Sequence, residues 1–283
     1  MIRTFVDLLR MIKFSHTVFA LPFALMGAVL AARGLPSGHV LFWILMAMIG
    51  ARTLAMTFNR LVDRKIDAAN PRTADREMPR GIVTLPQAVW MIVGSLLLFV
   101  FACARLNPLC LMLSPFALLV ILGYSFTKRF TAYSHLVLGL SLAIAPVGAW
   151  IAVRGNLELP VLLIGLAVFF WVAGFDILYA IQDIDFDRKA GLYSLPGRVG
   201  VGSSLVIARI FHLLTVVLLT LEIPMLSLGI YYLAGLAIVS GLLFYEHAII
   251  REDDLSRLDM AFFKMNGYIS VTLFAFTLLD LWL

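Results

Sequence analysis

Charged residues are scarce in this 283-residue chain, at 14% of the total, whereas soluble domains carry about 25%. Hydrophobic residues make up 62%, and the mean hydropathy is +0.98. This balance excludes a soluble globular protein and predicts an integral membrane protein. Cysteine is almost absent. Cys103 and Cys110 lie in neighbouring apolar stretches without the spacing of a metal or redox motif, so we expect two packed, small hydrophobic side chains.

Long apolar runs occupy most of the chain. A helix needs about 20 apolar residues to cross a hydrocarbon core of about 30 Å, and nine stretches meet this condition. They lie near residues 14–33, 40–59, 86–104, 107–126, 134–153, 160–181, 203–222, 225–247 and 262–282. We therefore predict an all-α integral membrane protein with nine transmembrane helices, as a single domain over 1–283. Residues 1–13 predict an interfacial helix, not a cleavable signal peptide.

Lysine and arginine are divided unevenly between the loops. Most of the 22 lie near the N-terminus and in the loops after the second, fourth, sixth and eighth predicted spans. The opposite loops hold Arg33, Arg105 and Arg154. Because Lys and Arg favour the cytoplasmic side, we predict a multi-pass protein of a bacterial inner membrane with its N-terminus and charged loops in the cytoplasm. This topology explains the net charge of +5 without nucleic acid.

Two polar segments interrupt the apolar pattern, NRLVDRKIDAANPRTADREMPRG at 59–81 and FDILYAIQDIDFDRKAGLYSLPGRVG at 175–200. Each contains or adjoins a set of three residues at the same spacing, 0, +7 and +11. The sets are Arg52, Asn59 and Asp63, and Asp176, Asp183 and Asp187. At about 100° per residue, each set returns to within roughly 20° of its starting direction, so each should lie on one helix face. Asp185, at +9, points away and is left out of the predicted site.

Ionisable residues in apolar helices are costly and indicate functional sites. Carboxylates four residues apart offer the hard oxygen ligands that Mg²⁺ prefers, and Mg²⁺ commonly bridges to phosphates. Arg and Lys add contacts to phosphate oxygens. We therefore predict a magnesium-dependent diphosphate site opening into an apolar bundle, which suits a polyprenyl diphosphate. For Arg64, Lys65, Asp75 and Glu77, a solvated role in topology remains an open alternative.

These motifs resemble the UbiA superfamily of intramembrane prenyltransferases. The resemblance is carried by Asn59-x-x-x-Asp63-x-x-x-Asp67 and Asp183-x-x-x-Asp187, together with KFSHTVFALPFAL at 13–25, YSFTKRF at 124–130 and LGLSLAIAPVGAW at 138–150. It covers nearly the whole chain and is closest to the 4-hydroxybenzoate polyprenyltransferase branch. It implies a nine-helix bundle around a central cavity, capped at a cytoplasmic mouth by loops at 60–85 and 182–202.

The resemblance also implies roles for the polar side chains. Two Mg²⁺ ions would be held by Asn59, Asp63, Asp67, Asp183 and Asp187. The leaving diphosphate would be neutralised by Arg72, Lys128 and Arg129. Arg60 stands where many relatives have an acid, so the metal count is open.

Arg52 and Asp176 lie two turns deeper than the predicted metal ligands. With Lys128 they are the catalytic candidates: Arg52 would orient the acceptor or diphosphate, and Asp176 would align the acceptor or draw its proton. A structural salt bridge between Arg52 and Asp176 is the alternative. Lys13 is predicted to contact an acceptor carboxylate, with an interfacial lysine as the alternative. We expect His135 to serve packing or capping, and we assign no joint site to His39, His212 and His247.

The predicted function is magnesium-dependent transfer of a polyprenyl group to an aromatic acceptor, 4-hydroxybenzoate in first place, in quinone biosynthesis. The same chemistry on 1,4-dihydroxy-6-naphthoate, in the futalosine route to menaquinone, is the alternative. Haem farnesylation, chlorophyll synthesis and archaeal ether-lipid synthesis are also open within the superfamily. The expected partners are the two substrates and the lipid bilayer, with no obligate protein partner.

Two other classes are weaker alternatives. A cation-coupled transporter also places acids in membrane spans, but its site usually lies near the midplane, whereas these acids gather towards one membrane face. A CDP-alcohol phosphotransferase requires the run D-x-x-D-G-x-x-A-R, which this chain lacks.

Overall fold

The computed structural model describes residues 7, 8, 10–12, 17–255, 257–260 and 264–283, with the side chains of 17–19 and 259 left aside. These residues form long helices that we label α1 (Thr17–Ala32), α2 (Gly38–Ala69), α3 (Leu85–Leu106), α4 (Pro108–Thr127), α5 (Ser134–Arg154), α6 (Leu159–Ala180), α7 (Val201–Leu226), α8 (Ile230–Ile249) and α9 (Asn266–Trp282). Across the described ranges there is no β-strand, which confirms the all-α class. The predicted interfacial helix at 1–13 falls mostly outside these ranges.

The membrane spans agree with the apolar runs of the sequence. Among the described residues, seven helical segments are long and apolar enough to cross a bilayer. The two remaining long helices, α1 and α9, have 16 and 17 residues. Residues 13–16, directly before α1, and 261–263, shortly before α9, lie outside the described ranges. The chain is therefore a multi-pass membrane protein, and the count of nine spans stays a prediction.

Short polar signals mark several helix starts. The N–H of Val40 donates to Oγ of Ser37 at the start of α2, and the N–H of Thr84 donates to Oε1 of Gln87 at the start of α3. Oδ1 of Asn107 accepts from the N–H of Cys110 in the first turn of α4. These contacts satisfy backbone N–H groups that have no partner within a helix.

Helix α2 continues beyond the predicted span. It reaches Ala69, so residues 60–69 of the predicted cap loop are helical. The segment RLVDRKIDAA contains neither Gly nor Pro and keeps apolar residues at helical spacing, which sustains the helix past the apolar run. It ends where the N–H of Asn70 donates to the carbonyl of Ile66, because Pro71 disfavours a helical conformation at the residue before it.

The second polar segment is helical but not uniform. Helix α6 ends at Ala180, a 3₁₀ turn follows at Ile181–Asp183, and a short helix spans Ile184–Ala190. A further short helix spans Leu195–Val199, so the predicted cap loop at 182–202 is largely structured. A 3₁₀ turn has about 3.0 residues per turn. The uniform 100° step assumed for Asp176, Asp183 and Asp187 is therefore wrong at the middle residue.

Close backbone contacts hold the bundle together. A Cβ at Gly139 on α5 would lie 2.4 Å from the carbonyl oxygen of Phe169 on α6, and one at Gly27 on α1 would lie 2.4 Å from that of Pro146 on α5. Small residues of this kind allow membrane helices to pack closely. Trp150 and Trp171 fill the core between these helices. Both cysteines are free and buried, which confirms their predicted packing role.

Candidate active site

Asp63 is the centre of a buried cluster at the end of α2. One carboxylate oxygen lies 2.6 Å from Nζ of Lys128, and the other lies 2.9 Å from Nη2 of Arg129. Nδ2 of Asn59 donates to the first of these oxygens at 3.2 Å, one turn back along the helix. Asp63 is only 2% exposed. A charge this well buried needs such partners, so Lys128 and Arg129 compensate Asp63 in this state.

Arg129 also fixes the end of α4 to α2. Its Nη1 donates to the carbonyl of Ser125 at 2.7 Å, and its Nη2 donates to that of Val62 at 3.1 Å. The backbone carbonyl of Lys128 accepts from the N–H of Tyr193 at 2.8 Å. Lys128 and Arg129 therefore lie between the two polar segments, in contact with Asp63 of the first and Tyr193 of the second.

Asp67, one turn beyond Asp63, is paired separately. Nη1 of Arg76 donates to its Oδ1 at 2.8 Å, and Oγ1 of Thr73 donates to its backbone carbonyl at 3.0 Å. Its Oδ2 is buried and has no hydrogen-bond partner among the described residues. Sequence reasoning did not select Arg76, which lies on the far side of a turn from its partner.

The two polar segments meet at Asp183. Nε of Arg72 donates to Oδ1 of Asp183 at 2.9 Å, and Nη2 of the same guanidinium contacts Oδ2. Nδ2 of Asn70 donates to Oδ1 at 3.1 Å. Arg72 also donates through Nη1 to the hydroxyl of Tyr179 at 2.8 Å. Predicted members of both segments are therefore in direct contact.

The remaining acids of the second segment differ in environment. Asp187, in the helix Ile184–Ala190, is partly buried and lies close to the side chain of Ser194. Asp185, which was left out of the predicted site, is exposed. This difference agrees with its omission from the predicted site.

Asp176 lies deeper, on α6. Its Oδ2 is 2.7 Å from Nδ1 of His135, the second residue of α5. His135 is 4% exposed, and its Nε2 lies 3.4 Å from the backbone nitrogen of Leu195. Asp176 thus forms a hydrogen bond with His135, a partner that the sequence alternative, a salt bridge with Arg52, did not include. Sequence reasoning assigned His135 only to packing or capping.

Three further predictions have different outcomes. Arg60, counted as a cytoplasmic-loop base, lies within α2 and is 6% exposed. His212 and His247, to which no joint site was assigned, have Nδ1 and Nε2 2.9 Å apart, a contact that the sequence did not indicate. Lys13 lies outside the described residues, and its predicted role stays a prediction.

A cavity of about 420 Å³ lies between residues 130–133 and residues 188–198 of the second polar segment. Among its lining residues are Phe130, Tyr133 and Tyr193, with Arg188 and Arg198. None of the predicted metal ligands lines it. In the charged clusters, the carboxylates of Asp63, Asp67 and Asp183 each contact a basic side chain.

The sequence profile of the UbiA prenyltransferase family matches residues 20–268. The chain belongs to this family. A 4-hydroxybenzoate octaprenyltransferase from Nitrosomonas eutropha is 31% identical over 259 residues, covering 90% of this chain and 89% of that protein. One from Vibrio cholerae serotype O1 is 30% identical over 283 residues, covering 99% of this chain and 98% of that protein. The predicted family and enzyme class are thereby confirmed, and the transporter interpretation is set aside.

Solved structures of UbiA homologs share the fold. The apo structure of a UbiA homolog from Aeropyrum pernix K1 has a TM-score of 0.86 and 32% identity, and the match covers 94% of this chain and 98% of that chain. A UbiA homolog from Archaeoglobus fulgidus, solved bound to DMAPP and Mg²⁺, has a TM-score of 0.75 and 21% identity, with 97% and 99% coverage. The chain is therefore a membrane prenyltransferase with the UbiA fold.

The donor set of the two clusters is compatible with Mg²⁺. It consists of carboxylate and amide oxygens, and Oδ2 of Asp67 is buried without a hydrogen-bond partner in the described part of the chain. No three acidic, histidine or cysteine side chains in that part are grouped closely enough to hold a metal as they stand. Asp63, Asp67 and Asp183 each contact a basic side chain instead. A metal at Asp63 or Asp183, whose carboxylate oxygens are both engaged, would require those bases to turn away, whereas Oδ2 of Asp67 has no such partner in the described ranges.

Proposed function

We propose that this enzyme transfers a polyprenyl group from a polyprenyl diphosphate to 4-hydroxybenzoate in quinone biosynthesis. The observation that carries the proposal is the junction of the two polar segments through Arg72 and Asp183 at the end of apolar helices. An acidic and basic cluster beside an apolar bundle suits a substrate with a charged head and a long apolar tail. The names of the relatives at 30–31% identity support this choice of acceptor.

We further propose that Mg²⁺ is held by the carboxylate and amide groups of Asn59, Asp63, Asp67, Asp183 and Asp187. When bound, the metal neutralises charge that develops on the diphosphate as it leaves. Lys128 and Arg129, which now contact Asp63, would then bind diphosphate oxygens, as would Arg72. The same bases would serve two states: they balance the acids in the resting enzyme and the diphosphate during the reaction.

The reaction breaks the bond between the prenyl carbon and the diphosphate oxygen, and the electron pair leaves with the oxygen. A π electron pair of the acceptor ring forms the new carbon–carbon bond, and loss of the ring proton restores aromaticity. We propose that Asp176 aligns the acceptor and accepts the ring proton. Arg52 and Lys13 would bind the carboxylate of the acceptor. Apolar surroundings limit hydrolysis of the cationic prenyl group.

The test is prenyl transfer by membranes that contain the protein, with Mg²⁺ and a radiolabelled polyprenyl diphosphate. 4-Hydroxybenzoate and 1,4-dihydroxy-6-naphthoate are supplied in parallel, with and without EDTA. We expect magnesium-dependent prenylation of 4-hydroxybenzoate. Prenylation of the naphthoate alone would replace the acceptor but keep the reaction, and transfer to neither would overturn both assignments.

We also propose that the N-terminus and the polar segments face the cytoplasm of a bacterial inner membrane. Single cysteines at the exposed positions Arg80 and Asn156 test this, because they lie in loops on opposite sides of the predicted topology. The native cysteines are buried and should give little background. A membrane-impermeant maleimide should label N156C in intact cells and R80C only after the membrane is opened. The reverse pattern would invert the orientation.

A further inference from the structure

His135 joins three parts of the molecule through one buried ring. It lies in the first turn of α5, contacts Asp176 on α6 through Nδ1, and meets the backbone of Leu195 through Nε2. Leu195 begins the short helix Leu195–Val199, directly after Ser194. The ring therefore connects the deep acid with the cap segment above the diphosphate site.

The two contacts assign one tautomer to His135. A backbone N–H can only donate, so Nε2 must present its lone pair to Leu195. In the neutral ring the proton is then on Nδ1, which donates to Oδ2 of Asp176. A doubly protonated ring would set an N–H of His135 against the N–H of Leu195.

The hydrogen bond from His135 determines how Asp176 can act. Since Oδ2 is engaged by the ring, Oδ1 is the oxygen through which Asp176 can reach a substrate. A carboxylate with one fixed oxygen loses most of its rotational freedom. Preorganisation of this kind accounts for much of the effect of a catalytic group, and a displacement of about 1 Å can cost about 100-fold in rate.

The cap segment is held from the same side by two further contacts. The N–H of Tyr193 donates to the carbonyl of Lys128 at 2.8 Å, and the side chain of Ser194 lies close to Asp187. Residues 193–195 thus link in succession to a predicted diphosphate ligand, a predicted metal ligand and His135. The position of Asp176 is tied through the ring to the position of this segment.

We infer that His135 is a positioning residue that orients Asp176 for its action on the acceptor, with its tautomer set by Leu195. The inference rests on the proposed function. It predicts an effect on turnover that is separate from the binding of the prenyl diphosphate, because no predicted diphosphate ligand contacts the ring in the described structure.

Three substitutions separate the two contacts of the ring. In H135N the amide nitrogen lies near the position of Nδ1 and can still donate to Asp176. H135Q places its amide near Nε2, towards Leu195, and H135F keeps only the packing.

We expect kcat to fall about 10- to 100-fold in H135Q and H135F and to stay within about 3-fold in H135N. KM for the prenyl diphosphate should stay within about 2-fold in all three. H39F is the control, since His39 lies away from this cluster, with Nε2 near the carbonyl of Arg105 and its ring edge-on to Trp43.

Two measurements on the intact protein need no turnover. Nitrogen-15 NMR of histidine-labelled protein should show the Nδ1-protonated tautomer for the resonance lost in H135F, and D176N should alter it. Amide exchange of residues 192–198 should accelerate in H135F but not in H39F. Unchanged kcat in folded H135Q, or the Nε2-protonated tautomer in the native protein, would overturn the inference. If the native protein transfers no prenyl group, the proposed function fails, and the positioning role for catalysis fails with it even where NMR confirms the contact.

Discussion

Arg72 and Asp183 form the ion pair that joins the two polar segments, with Nε 2.9 Å from Oδ1 and Nη2 in contact with Oδ2. The two residues are separated by 111 positions in the sequence. A planar guanidinium matches both oxygens of a carboxylate, and it matches phosphate oxygens equally well. The pair therefore marks the place where an anionic substrate would compete with Asp183 for Arg72.

The substitution R72K tests this geometry because it keeps the charge and removes the two-pronged contact. We expect kcat/KM for the prenyl diphosphate to fall about 10- to 100-fold, since a charge-assisted hydrogen bond contributes about 1.5–3 kcal/mol. Prenyl transfer at varied diphosphate concentration measures it. R80K is the control, because Arg80 is exposed in the same segment. Equal losses in both variants would show that only the overall charge matters.

The acids of the second segment give a second prediction. D183N should lower prenyl transfer by at least about 100-fold, because it removes one charge of the predicted metal site and the ion pair with Arg72. D185N should leave transfer within about 2-fold, as expected for an exposed surface residue. The assay is transfer under saturating Mg²⁺. Similar damage from both substitutions would contradict the placement of the site.

Hydropathy and helical spacing predict the framework of this protein well. The long helices coincide with apolar runs, and Asp63 and Asp67 recur at the spacing that places both on the buried face of α2. The same spacing argument selects Asp183, and the resemblance to the family adds the assignment of Asp67 and of the bases Arg72, Lys128 and Arg129 to the site. All of these signals are local, since each depends on residues within a few turns of one helix.

Contacts between helices are not visible in such a pattern. His135 and Asp176 are 41 residues apart, and His212 and His247 are 35 apart, so their pairing depends on how α5, α6, α7 and α8 pack. The 3₁₀ turn after α6 is also unmarked, because Ile181–Asp183 contains neither Gly nor Pro. These features depend on how the helices pack against one another. Such packing produces no repeating pattern in a single sequence.

The close approach of α5 and α6 gives a third prediction. G139A would place a Cβ 2.4 Å from the carbonyl oxygen of Phe169, which is backbone and cannot rotate away. We expect a loss of about 1–3 kcal/mol in the free energy of unfolding. G148A, on the same helix, is the control because its Cβ would meet nothing within 4 Å among the described residues. Unfolding midpoints in detergent micelles should fall for G139A and stay level or rise for G148A. The opposite order would contradict the packing of these helices.

The unpartnered oxygen of Asp67 provides the sharpest test of metal binding. Its Oδ1 is bound by Arg76, but its Oδ2 is buried without a partner in the described ranges, a costly state for a carboxylate that a cation would relieve. We expect Mg²⁺ to raise the affinity of the native protein for a non-reactive prenyl thiodiphosphate. D67N should need about 10-fold more Mg²⁺ for half-maximal binding, because an amide binds Mg²⁺ less well than a carboxylate.

D75N, at an exposed position in the same segment, should behave as the native protein. If D67N and the native protein require the same Mg²⁺ concentration, Asp67 is only an anchor for Arg76, and the ligand set of the first motif has to be reassigned to Asn59 and Asp63 alone.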